Sequence, residues 1–118
     1  MSIEVKRAYD PPARSDGYRV LVDRIWPRGV TKEDLGVDAW LKDLAPSTGL
    51  RKWFGHDPKK WDEFKTRYAR ELEQHGEALA QLAERARAGR VTLVFGAKDT
   101  EHNNAVALKE QLERRLKR

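Results

Sequence analysis

Hydrophobic and polar positions change period several times along this chain, and each change marks an expected element. Residues 3–8 alternate weakly, with Ile3, Val5 and Arg7 on one face, and predict a short strand. YDPPARSDG at 9–17 combines two prolines, Asp, Ser and Gly, the composition of a loop. YRVLVDRIW at 18–26 is rich in β-branched and apolar residues and predicts a buried central strand. Pro27 has no N–H for a ladder and should stop that strand, and Gly29 fits a turn.

Thr31 is positioned as an N-cap, with Asp34 standing in for the usual glutamate of a capping box and Gly36 ending a single helical turn. DAWLKDL at 38–44 predicts a second short helical turn that groups Trp40, Leu41 and Leu44. Ser47 should cap a helix over 48–54 with Leu50, Trp53 and Phe54 inward. Asp57 should cap the next helix, with Pro58 in its first position. Trp61, Phe64, Tyr68 and Leu72 then recur at helical spacing. Gly76 interrupts that pattern, Leu79, Leu82, Ala83 and Ala86 resume it, and Gly89 stops it. VTLVFGA at 91–97 predicts a second buried strand. Thr100 is the expected cap of a last helix, entered through Asn103, whose inward stripe is Ala105, Leu108, Leu112 and Leu116.

Two apolar strands separated by helices imply a parallel pair joined by a crossover. The strand at 3–8 adds a third member, parallel or antiparallel. The expected fold is α/β, a small compact domain with a mainly parallel sheet of about three strands flanked by helices. A length of 118 residues fits one domain.

Composition narrows the chemistry. Zero cysteines exclude a disulfide scaffold, a thiolate metal site and a cysteine nucleophile. No apolar run approaches the ~20 residues of a membrane span, so no membrane partner is expected. The opening MSIEVKRAYD is charged where a signal peptide would be apolar, and a cytoplasmic location is expected. Four tryptophans point to a packed core. The net charge of +5 suits phosphorylated ligands, nucleic acid or anionic surfaces, although 36% charged residues of both signs also serve solubility. The positive excess falls in residues 1–30 and 90–118.

In open α/β sheets, ligands bind beyond the carboxyl ends of parallel strands. That rule selects the loop holding Asp23, Arg24, Trp26 and Arg28, and the loop holding Lys98, Asp99, His102, Asn103 and Asn104. Guanidinium groups and a helix N-terminus can together grip an anion. Arg24, Arg28, Lys98, Asn103 and Asn104 are the candidate ligand contacts, and Asp23, Asp99 and His102 the candidate acid–base groups. Each has a structural alternative. Asp23 in an apolar strand needs a partner, which Arg24 or Arg28 could supply. Trp26 fits a core, while His102, Asn103 and Asn104 fit a helix cap. His56, His75 and His102 share no metal-ligand spacing, so no metal is expected. No GxGxxG, Walker, GxSxG or HExxH motif occurs, and no cofactor is expected. LRKWFGHDPKKW at 50–61 interleaves cations and aromatics as single-stranded nucleic-acid binders do. Its aromatic spacing equally fits an inward helix face with solvated lysines outside.

The sequence resembles the YeaO-like branch of the domain of unknown function 488 family. The resemblance rests on VKRAYD at 5–10, LVDRIWPRG at 21–29, LAPSTGLRKWFGHDP at 44–58, WDEFKTRYARELEQ at 61–74 and VTLVFGAKDTEHNNA at 91–105. It implies a compact α/β sandwich and no established reaction. The broader family carries an Asp-Arg motif, matched by Asp23 and Arg24, and often a Cys-His-Arg motif near the last helix. Here that region reads His102-Asn103-Asn104, so thiol chemistry is unavailable.

Three readings follow. One is an enzyme or binder for a small anionic or nucleotide-like ligand, with Arg24 and Arg28 on the anion, Asp23 or Asp99 as base and His102 as acid. The second is a non-catalytic nucleic-acid-binding module. The third is an interaction subunit, monomeric or homodimeric.

Overall fold

A computed structural model describes residues 2–117. Four strands, β1 (Ser2–Arg7), β2 (Tyr18–Leu21), β3 (Ala39–Trp40) and β4 (Arg90–Phe95), form one sheet in the order β1-β4-β2-β3. Every pairing is parallel, with Ile3 opposite Val91, Val20 opposite Leu93 and Leu21 opposite Trp40. This settles the direction of the first strand and adds a fourth strand to the three expected.

The helices are α1 (Lys32–Leu35), α2 (Thr48–Phe54), α3 (Trp61–Leu72), α4 (Gly76–Ala88) and α5 (Asn104–Leu116). Val20, Val22, Val91, Leu93 and Phe95 face the larger core, where they meet the apolar stripes of α2 through α5. Leu21 and Val94 point the other way, against Leu35, Trp26 and Trp40. Both sheet faces are therefore covered. This is why residues 91–95 read as an unbroken run of buried side chains rather than an alternation.

Local signals were sound where a cap or a full helical stripe was present. Thr31 Oγ1 accepts the Asp34 N–H at 3.0 Å, and Ser47 Oγ accepts the Leu50 N–H at 3.1 Å. The long helical stretch breaks at the 3₁₀ turn Glu73–His75, directly before Gly76.

Three expectations are corrected. The central strand leaves its ladder after Leu21, not at Trp26. Val22 makes one further bond to the Val94 carbonyl at 3.1 Å, and Asp23 then turns its carboxylate toward the neighbouring loop. Residues 38–44 are not a helical turn but the edge strand β3 followed by a 3₁₀ turn, Lys42–Leu44. The Asp38 and Leu41 N–H groups donate to the Arg19 and Leu21 carbonyls at 2.8 and 2.9 Å, an edge that local propensity does not reveal. Trp40 consequently packs on one sheet face and Leu41 and Leu44 on the other. Finally, Asn103 rather than Thr100 caps α5, its Oδ1 accepting the Val106 N–H at 3.0 Å. Among the described residues no helix is long and apolar enough to cross a membrane.

Candidate functional site

β2 and β4 are parallel neighbours, so the loops after them emerge at the same sheet edge. They are hydrogen-bonded together. Asp23 Oδ2 accepts the Gly96 N–H at 2.8 Å. Asn104 Nδ2 donates to Asp23 Oδ1 at 3.0 Å and to the Val22 carbonyl at 2.9 Å. The first residue of α5 thus ties the end of β2 to the helix.

A cleft of about 480 Å³ opens at this junction. Asp23, Gly96 and Asn104 form one wall, and Arg24, Arg51 and Lys52 contribute positive charge. Phe54 and Phe64, stacked with ring centres 4.4 Å apart, also line it, as does Ile25, 58% exposed. His56 completes the lining from an unusual backbone position, φ +57°, which few side chains adopt without cost.

The electrostatics are uneven. Burial pushes the Asp23 carboxyl above the ordinary carboxylate range. The Asn104 and Gly96 hydrogen bonds and the Arg51 charge offset this only in part. No cation of the chain forms an ion pair with Asp23 among the described residues. Arg24 does not neutralise it by contact. Its guanidinium instead donates to the Pro46 and Ala45 carbonyls, both at 3.3 Å, tying the loop after β2 to the segment before α2.

Arg24 also borders a smaller cleft of about 260 Å³ with Ser47, Tyr68 and Glu71. The Tyr68 hydroxyl donates to the Leu44 carbonyl. Burial, with the negative charges of Asp23 and Glu71, pushes its ionisation far up, so it acts as a donor.

Of the residues singled out from sequence, Asp23, Arg24 and Asn104 meet in the cleft, while Arg28, Lys98, Asp99, His102 and Asn103 are not among its lining residues. Arg28 is exposed, its carbonyl accepting the Tyr9 hydroxyl at 3.1 Å. Lys98 is exposed. Asp99 accepts the Glu101 and His102 N–H groups at 2.9 and 3.0 Å, bonds that hold its carboxyl below the usual range. Its other oxygen meets His102 Nδ1 at 3.0 Å, and its carbonyl accepts from Asn103. The His102 ring lies edge-on to Trp61 at 5.4 Å. This cluster organises the entry to α5.

Arg51, Lys52 and His56 were not expected in the site. Their only signal was the basic-aromatic segment at 50–61, and nothing in linear order says that α2 ends over the sheet edge. Of the remaining cations of that segment Lys59 is exposed, and Lys60 serves the fold together with Arg67 of α3. Lys60 and Arg67 both lie over the Trp53 ring, at 5.1 and 4.2 Å, and Lys60 also donates to the Trp53 carbonyl at 2.9 Å. Among the described residues no group of His, Asp and Glu could hold a metal.

The fold and cleft define a small α/β protein with a cleft at the carboxyl end of a parallel sheet. The chain belongs to the domain of unknown function 488 family, matching over residues 2–118 the group described as the inactive DUF488-N3 subclade. It is 46% identical over 112 residues to YeaO of Escherichia coli K12, covering 95% of this chain and 97% of the relative. It is 42% identical over 110 residues to Rv3073c of Mycobacterium tuberculosis H37Rv and to Mb3100c of Mycobacterium bovis, covering 93% of this chain and 92% of each. All three relatives are named only as uncharacterised proteins. No solved structure matches the chain significantly.

Proposed function

We propose that this protein is a non-catalytic binding domain for a small anionic ligand, held at the carboxyl ends of β2 and β4. One observation carries the reading: Arg24, Arg51 and Lys52 border one cleft, and none is spent on an internal carboxylate among the described residues. Guanidinium and ammonium groups so placed suit phosphate or carboxylate. The volume of about 480 Å³ falls within the ~300–1,000 Å³ of small-molecule sites. Binding is favoured over catalysis because the Asp99–His102 pair is absent from the cleft lining and the family group is described as inactive. The cysteine-free run His102-Asn103-Asn104 points the same way. The nucleic-acid reading has less support, because Lys60 and Arg67 are engaged with Trp53.

Calorimetric titration with inorganic phosphate and ribose 5-phosphate at low salt tests this. Binding should weaken at least tenfold in Arg51→Ala with Lys52→Ala, while the melting temperature of the apo protein stays near wild type. Unchanged affinity in that variant, or no binding of either compound, would reject the reading.

A further inference from the structure

A site for a bare anion gains nothing from a carboxylate in its wall, yet Asp23 is there, and its surroundings describe what it lacks. Each of its oxygens receives one donor from the protein, Gly96 N–H on Oδ2 and Asn104 Nδ2 on Oδ1. A carboxylate offers about four acceptor positions, so each oxygen retains capacity for one more donor. Two such positions on one planar group match two adjacent, parallel N–H groups, the geometry in which carboxylates take guanidinium.

We propose that the anion bound here also presents a pair of adjacent N–H donors to Asp23, with its negative group on Arg24, Arg51 and Lys52. Such a ligand is either a nucleotide with a guanine-type amide–amine edge or an acid bearing a guanidino group. This rests on the anion-site reading above and adds the second half of the recognition. The charges sort the two ends of the ligand. The cations repel the N–H end and Asp23 repels the anionic end, which fixes one orientation across the cleft.

The wild-type protein should be titrated by calorimetry with guanosine monophosphate, inosine monophosphate and ribose 5-phosphate, and with arginine and norleucine. The inosine compound lacks the second N–H donor group and norleucine lacks the guanidino group. The expected result is a preference of about tenfold for guanosine over inosine monophosphate, or for arginine over norleucine, the increment typical of a bidentate pair. Which comparison shows it identifies the source. Asp23→Asn should erase the preference, since an amide presents one acceptor and one donor. Lys98→Ala, at an exposed position outside the cleft lining, should keep it. Equal affinity within both pairs, with ribose 5-phosphate still bound, would overturn the paired-donor proposal and leave the anion site standing. Failure of every compound, ribose 5-phosphate included, would overturn both. If Asp23→Asn does not fold, the wild-type comparisons decide alone.

Discussion

Asp23 Oδ2 accepts the Gly96 N–H at 2.8 Å, so the loop leaving β2 is hydrogen-bonded to the loop leaving β4. With Asn104 donating to the other oxygen at 3.0 Å, both carboxylate oxygens face donors. Asparagine at this position could satisfy only one of them, and its own N–H groups would confront the other. Asp23→Asn should therefore cost about 1–2 kcal/mol, the penalty of a half-buried donor left unmet. Urea denaturation measures it, and a loss under ~0.5 kcal/mol would contradict it. The pH dependence has a definite sign. Burial raises this carboxyl in the fold, so only between the unfolded and folded values does the folded state hold a proton that the unfolded chain has released, and above both it is the carboxylate. The Asp23 contribution is then largest below the unfolded value of ~3.9 and is lost as pH rises through the folded value. The substitution should remove that part of the profile.

Asp16 shows the opposite sign. It is buried and meets Lys6 Nζ at 3.1 Å, Arg19 Nη1 at 2.6 Å and the Ala13 N–H at 3.0 Å. Burial alone would raise its carboxyl, but those hydrogen bonds and the Lys6 charge outweigh it and hold the group below its usual value. Its stabilisation is present above the unfolded pKa and is lost as pH falls through the lower, folded value. Asp16→Ala leaves Arg19, 4% exposed, without its carboxylate partner and should cost about 3–5 kcal/mol at neutral pH. The variant should also lose less stability than wild type on acidification below pH ~4. Denaturation midpoints from pH 7 to pH 3 would show both effects, and parallel profiles would count against the second.

Gly17 adopts φ +65°, and a Cβ there would sit 2.3 Å from the Arg90 carbonyl oxygen. Gly36 has a similar φ of +57°, but the nearest atom to its Cβ is Pro12 Cγ at 3.4 Å. Alanine at the two positions separates backbone strain from collision. Gly36→Ala should cost about 1 kcal/mol, the strain of a left-handed residue. Gly17→Ala should cost at least ~3 kcal/mol, because the start of β4 must move. Equal losses in thermal denaturation would mean that the loop before β2 yields easily.

The elements legible from sequence were those with a cap or several turns of stripe. Ser47 caps α2 and the helix ends at Phe54 as expected, and Trp61 through Leu72 declare α3 by spacing alone. β3 was not legible, since Ala39 and Trp40 are too few to show a period and owe their conformation to the edge of β2. The end of β2 was overrun because Ile25 and Trp26 continue its apolar character after Asp23 has left the sheet. Part of the candidate cleft's lining was legible through the strand-end rule, which pointed to the loops where Asp23 and Asn104 meet. Another part comes from Arg51, Lys52 and His56, and only the packing of α2 against α3 places them there.

Ser47 gives a case where a local rule and the tertiary structure disagree. Its hydroxyl accepts the Leu50 N–H at 3.1 Å as an N-cap and donates to Glu71 Oε2 at 2.6 Å. Its own N–H donates to Glu71 Oε1 at 2.8 Å, so α2 is clamped to α3 through one carboxylate. By capping preference alone, aspartate should replace this serine at little cost and alanine should lose about 1 kcal/mol. The clamp reverses that order. Aspartate would set a second carboxylate against Glu71 with no hydroxyl proton between them, so Ser47→Asp should be less stable than Ser47→Ala at neutral pH. Adding Glu71→Gln to Ser47→Asp should restore part of the loss, because the amide can donate where the carboxylate repels. A double-mutant cycle by urea denaturation reads the coupling directly. If Ser47→Asp matches wild type and Glu71→Gln brings no recovery, the Ser47–Glu71 clamp contributes nothing beyond the cap.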